Sequence, residues 1–207
     1  MRRAEPRPAR LRRASMLMAA SLLVAGCRMG HAPAPAPMSA DPSHPAMHGA
    51  PIPAGVSADD YQYLRDRHLI IPVAHAQLAR IPDSFYDARD GQRRHNAVDI
   101  MAPRGTPVLA ADKGHVLKLR KGGAGGITIY AVDPKSRFVY YYAHLDHYRK
   151  GITEGDALEQ GDTIGFVGTT GNAPPDIPHL HFQVMLMPED GKWWTGIPVN
   201  PRPLFVE

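Results

Sequence analysis

The chain has 207 residues, enough for one domain with a real core and too few for two comfortable ones. Its net charge of +4 and pI of about 9.3 suggest a basic protein. The first 26 residues, however, hold six arginines (Arg2, Arg3, Arg7, Arg10, Arg12, Arg13) against one acid, Glu5. Outside that segment 18 basic face 19 acidic side chains, so a nucleic-acid-binding reading loses its electrostatic footing.

Residues 1–26 read as a secretory signal. An Arg-rich start is followed by an apolar stretch over 14–25, too short to span a bilayer comfortably as a mature helix. The segment ends Leu23-Val24-Ala25-Gly26-Cys27. Small residues before the single cysteine resemble a bacterial lipobox, which implies cleavage before Cys27 and lipid modification of that residue. The competing reading is an ordinary signal peptide or an uncleaved anchor. One cysteine also excludes an internal disulfide. Arg28, rather than Asp, follows Cys27, so in a double-membraned bacterium the resemblance implies export to the periplasmic side of the outer membrane. An acyl anchor holds by burying methylenes and leaves the attached domain in water.

From residue 29 to 55 the chain is rich in Ala, Pro, His, Met and Ser, a composition that cannot bury a core and favours extended, semi-rigid tethers. His31, Met38, His44, Met47 and His48 could bind a soft metal such as copper, but a plain linker accounts for the composition with less. The expected organisation is a signal over 1–26, a lipidated Cys27 with its tether to residue 55, and a folded domain over 56–207.

Within that domain, Tyr61, Leu64 and His68 at helical spacing predict a short lead-in helix over 58–68. Residues 69–73 read as an edge strand or an extended approach, because Pro72 cannot donate to a ladder. A polar loop through Asp83 and Asp90-Gly91 leads to Arg93-Arg94-His95. Beyond it, strands are expected over 107–111, 115–120, 126–132, 138–144, 163–168 and 179–186, each bounded by Gly, Pro or Asp. The glycines between residues 122 and 126 lack the Gly-Lys-Ser/Thr ending of a phosphate loop and read as a hairpin turn. Short strands at this spacing, without long helices between them, predict a mainly β domain built as an antiparallel sandwich or part-open barrel.

Chemistry concentrates in the histidines. His179-Leu180-His181 lies in an alternating apolar run, where residues i and i+2 share a strand face about 6.5 Å apart. Two imidazoles placed so can meet one metal ion, or a metal and its substrate. His95 and Asp99 would lie about 13 Å apart along a straight strand, too far to share an ion whose ligand bonds are about 2 Å. They become a chelate only if the chain bends between them. His144 closes an aromatic strand where the sequence turns polar, a position that suits a functional group. His68, His75, His115 and His147 have no matching partners. Trp193 and Trp194 belong either to a substrate groove or to the core.

Taken together, these stretches resemble a known family. Arg94-His95-Asn96-Ala97-Val98-Asp99-Ile100, Tyr142-Ala143-His144-Leu145, the Gly161-to-Gly171 turn region, His179-Leu180-His181-Phe182 and the closing Pro198-Val199-Asn200-Pro201 occur in the order of the lysostaphin/LytM-type zinc metallopeptidases, the M23 peptidoglycan endopeptidases. The resemblance covers residues 70 to 205. It implies the lysostaphin-like fold with its duplicated hybrid motif. It also implies zinc ligands at His95, Asp99 and His181, and catalytic histidines at His144 and His179. Ala97 stands where many members carry Gly, a small steric change away from the ligand atoms.

The expected activity is zinc-dependent hydrolysis of peptide bonds in peptidoglycan stems or cross-links. Three ligands leave an open position on a catalytic zinc, and without a His-Glu-x-x-His helix a histidine must serve where other zinc proteases use glutamate. The alternative is a LytM-like lipoprotein that has lost catalysis and activates cell-wall amidases, which would bring in a regulatory protein partner. Such proteins lack metal ligands, and this chain keeps all five site residues. A biotinyl-type carrier domain, suggested by the glycine-punctuated stretch 161–168, needs a lysine hairpin or a phosphorylated histidine instead of a metal site.

Overall fold

A computed structural model describes residues 51–89 and 93–206. Cys27, the signal segment and most of the tether lie outside the described residues. Among the described residues no helix is long and apolar enough to cross a membrane.

The lead-in helix α1 (Ala58–Arg65) starts at Ser57, whose side chain accepts the Asp60 N–H, and buries Tyr61 and Leu64. It ends one turn earlier than the spacing predicts, because His68 takes φ +51° and leaves the helix. Strand β1 (Leu69–Ile70) covers less than the expected 69–73; beyond Pro72, Val73 makes only an isolated bridge to Val108. The β2 (Ala88–Arg89) and β3 (Arg93–Arg94) segments pair as a small separate hairpin.

The main sheet takes β4 (Val98–Met101), β5 (Pro107–Leu109), β6 (Gly114–Arg120), β7 (Ile127–Val132), β8 (Phe138–Tyr148), β9 (Ala157–Leu158), β10 (Thr163–Val167), β11 (His179–Leu186) and β12 (Ile197–Val199). Its nine strands pair antiparallel and do not close on themselves. The main path is β12-β11-β8-β7-β6-β9, with β10 bridging β8 and β5. Strand β11 lies between β8 on one side and β4 followed by β12 on the other. Finally β13 (Phe205–Val206) runs parallel to β1 and ties the end of the chain to its approach segment. The fold is thus mainly β, an open antiparallel architecture with one α-helix among the described residues. The glycine-rich stretch after Arg120 does turn β6 into β7.

Alternation decides which residues face inward. Val98 and Ile100 on β4, Phe138, Tyr140 and Tyr142 on β8, and Leu180, Phe182 and Val184 on β11 share one core. Full burial of each such side chain contributes about 1.5–3 kcal/mol. The intervening residues Asp99, Tyr141, Ala143, His179 and His181 are thereby committed to the opposite face. Val132, Val139 and Met185 form a smaller cluster there, with Tyr130, Tyr141 and Trp193 packed against it.

Candidate metal centre and active site

Asp99 on β4 and His181 on β11 are directly opposed across the ladder, which brings their Cβ atoms to about 4.5–5.5 Å. Asp99 Oδ1 and His181 Nδ1 lie 3.0 Å apart. His95 reaches them because the chain bends where the chelate reading requires it. Asn96 adopts φ +56°, a left-handed conformation that asparagine tolerates, and β4 begins only at Val98. His95 Nε2 then sits 3.0 Å from Asp99 Oδ1 and 3.1 Å from His181 Nδ1.

His95 Nδ1 donates to the Ser84 carbonyl at 3.0 Å, so the neutral ring presents an Nε2 lone pair to Asp99. An imidazole lone pair and a carboxylate oxygen facing one another at hydrogen-bond distance call for a cation between them. Tetrahedral bonds of about 2.0–2.1 Å place donor atoms about 3.3 Å apart, close to the three separations here. These three residues form a cluster able to hold a metal ion. Two neutral nitrogens and one carboxylate oxygen are donors that suit zinc. Without a metal, burial alone would raise the Asp99 carboxyl, but hydrogen bonds and charge from His181 and His95 in their protonated forms hold it well below the usual carboxylate range. The outer oxygen, Oδ2, accepts from the Arg89 guanidinium at 2.7 Å.

His144 arrives by a different device. Between the partners of Ile129 and Ile127, β8 advances three residues, Tyr142 to Leu145, where β7 advances two. His144 sits in this bulge at φ +62°. In an unbroken strand it would point with Phe138, Tyr140 and Tyr142 into the core. The extra residue gives that place to buried Leu145 and turns His144 toward the site. Contrary to the sequence expectation, the strand does not end at His144; it bulges there and continues to Tyr148. His144 Nδ1 donates to the Thr170 carbonyl at 2.8 Å. His179 Nδ1 donates to the Ile177 carbonyl at 2.8 Å, and its Nε2 lies 3.9 Å from Asp99 Oδ1. The His144 ring centre is 5.0 Å from that of His179 and 5.7 Å from that of His181. Burial pushes the His144 imidazole down to about 4, so the ring is neutral at pH 7.

The five residues singled out in the sequence therefore converge: three donor atoms meet, and two further histidines stand beside them with Nδ1 held by carbonyls. Arg89 had no sequence signal, since only the β2–β3 hairpin brings it over Asp99. The carbonyls of Ser84, Thr170 and Ile177 were equally hidden, because any residue supplies one. Two clefts open on this centre and share Arg89, His144 and Asn172. Trp193 and Trp194 line neither: Trp193 packs on Tyr130 with ring centres 4.3 Å apart, and Trp194 is 58% exposed.

Residues 93–201 match the model of Peptidase family M23. The chain is 38% identical over 103 residues to the L-Ala--D-Glu endopeptidase of Bacillus subtilis, a match covering 46% of this chain and 31% of that one. It is 36% identical over 110 residues to the DD-carboxypeptidase/endopeptidase Mpg of Neisseria meningitidis, covering 53% and 22%. The match thus spans less than a third of the length of either relative. A solved structure from Ruminococcus gnavus, described as a candidate glycyl-glycine endopeptidase lytM, superposes with a TM-score of 0.57 at 28% identity, covering 70% of this chain and 64% of that one. With the matched residues spanning more than half of its length and including all five converging side chains, this chain belongs to Peptidase family M23.

Proposed function

We propose that the protein is a zinc-dependent endopeptidase that cuts peptide bonds in peptidoglycan stems or cross-links, exported and held at a membrane through lipid on Cys27. The observation that carries the proposal is the convergence of His95 Nε2, Asp99 Oδ1 and His181 Nδ1 within 3.0–3.1 Å of one another, with His144 and His179 beside them. A non-catalytic amidase activator would not need this complete set.

His95, Asp99 and His181 would hold the zinc. When bound, zinc supplies the positive charge that polarises a carbonyl and acidifies water. The rest belongs to the chain's own residues. His144 and His179 each spend Nδ1–H on a backbone carbonyl, so Nε2 of either neutral ring is an acceptor. One ring orients water and takes its proton at Nε2. Once protonated, that nitrogen is a donor and can hydrogen-bond the developing oxyanion or return the proton to the leaving amine. Arg89 on Oδ2 holds Asp99 turned with Oδ1 inward.

The test is mass spectrometry of muropeptides after digestion, with and without a chelator. Cleavage should stop on chelation and return with zinc. His181→Ala should lose bound zinc and cleavage together; full cleavage by that variant would sink the proposal.

A further inference from the structure

We infer that the larger cleft beside the metal centre is a carboxylate-binding subsite, so that the substrate is an acidic peptide strand and not a neutral one such as a glycine bridge; the inference rests on the peptidase reading of the centre. The cleft has a volume of about 520 Å³, and its walls include His144 and His181 together with Arg89, Arg93 and Arg94. Among the described residues lining it there is no carboxylate. Asp99, behind it, is already engaged by Arg89, so that acid is not set against Arg94. The second cleft, on the other side of His144, offers Met101, Ala173, Pro174 and Ile177 instead. It shares Arg89 with the larger cleft but adds Asp99 and no further arginine, so the excess of guanidinium groups lies on the larger cleft's side.

Arg94 carries most of the argument. It precedes the metal-centre residue His95 by one position, so its Cα lies about 3.8 Å from that of His95. Its guanidinium carbon stands 5.9 Å from the centre of the Tyr86 ring. Contact with an aromatic face holds a guanidinium in place without neutralising it. The planar fork remains available for two parallel hydrogen bonds to a carboxylate, a geometry that a point charge such as lysine does not offer. A peptide lying across His144 and His181 would thus place a free carboxylate, one or two residues from the bond cut, against the β2–β3 hairpin. Acidic stem peptides bear such a group; glycine bridges do not.

The probe is a pair of fluorescent stem-type peptides identical except that one bears a free side-chain carboxylate and the other its carboxamide. Binding to the zinc-loaded full chain in detergent is read by anisotropy, and hydrolysis is followed in the same samples. The acid should bind about 10-fold more tightly than the amide. Arg94→Ala should bring that ratio close to one, and Arg94→Lys should restore it in part; zinc content reports whether His95 still holds its place. Equal binding of acid and amide by the unmodified protein overturns the inference without needing any variant. An acid preference that survives both Arg93→Ala and Arg94→Ala overturns it as well. Preferential binding of the acid with no hydrolysis of either peptide would end the peptidase reading and leave the carboxylate subsite standing.

Discussion

At His144 the backbone holds φ +62°, a region that Asn, Asp and His visit more readily than other side chains. The residue therefore does two jobs, supplying an imidazole and filling an uncommon conformation. Two substitutions separate them. His144→Ala should lower turnover roughly 10²- to 10⁴-fold and cost about 1–2 kcal/mol of stability, from the αL penalty and the lost bond to Thr170. His144→Asn should lose similar turnover yet melt closer to the unmodified protein, and both variants should retain zinc by elemental analysis. Loss of zinc on either change would make His144 a ligand. Arg89 is the other informative residue. With its bond to Asp99 Oδ2 removed, Arg89→Ala should weaken zinc binding about 10- to 100-fold, read by competition against a chromophoric chelator; an unchanged affinity would show that Asp99 needs no such support. These two residues also mark the limits of the sequence. His144 was visible as a polar residue closing an aromatic strand, but not as the centre of a bulge, because a bulge costs one residue of register and leaves composition untouched. Arg89 was invisible because its position depends on a two-residue strand too short to show periodicity.

Among the elements, the turn between β6 and β7 matters more to the site than its glycine-rich composition suggests. It packs against residues 170–172: Asn172 N–H donates to the Ala124 carbonyl, and Thr170 Oγ1 accepts the Ile127 N–H and donates to the Leu145 carbonyl. Thr170 also presents the carbonyl that orients His144. Gly171 closes this contact at φ +77°, where a Cβ would fall 2.2 Å from the Ala124 oxygen. Gly171→Ala should therefore cost about 1–3 kcal/mol. It should also reduce peptide cleavage while leaving zinc content unchanged, measured by thermal melts beside muropeptide digestion. An alanine variant as stable and active as the parent would show that the turn does not position His144. The strand pattern itself was well marked in the sequence. Strand β11 covers residues 179–186 as expected, because eight residues of alternation between core and site face leave no other register. The bend at Asn96 was less legible. Sequence shows only that His95 and Asp99 require a bend, and a single residue in the left-handed region supplies it.

Across the whole domain, Asp99 on β4, His181 and His179 on β11, and the β8 bulge bearing His144 occupy three neighbouring strands with β11 in the middle. The centre is thus fixed by the same ladder that buries the core. The mainly β class could be read from short alternating segments and turn residues. The parallel pairing of β1 with β13 could not, since each has two residues and they lie at opposite ends of the domain. The proposed lipid anchor lies outside the described residues. Cys27→Ser should release the protein from the membrane fraction and abolish incorporation of labelled fatty acid; an unlabelled parent protein would reduce the segment to a plain signal.

The bulge in β8 has one more effect. Ala143, not His144, is the residue directly across from His181. Were Ala143 deleted, simple alternation would return and the imidazole would move into that slot, at cross-strand contact distance from the metal-centre histidine. A fourth protein donor there would convert an open coordination sphere into the saturated kind found in structural zinc sites. In the proposed enzyme, one residue of bulge thus stands between a centre free to work on substrate and one that could only grip its ion.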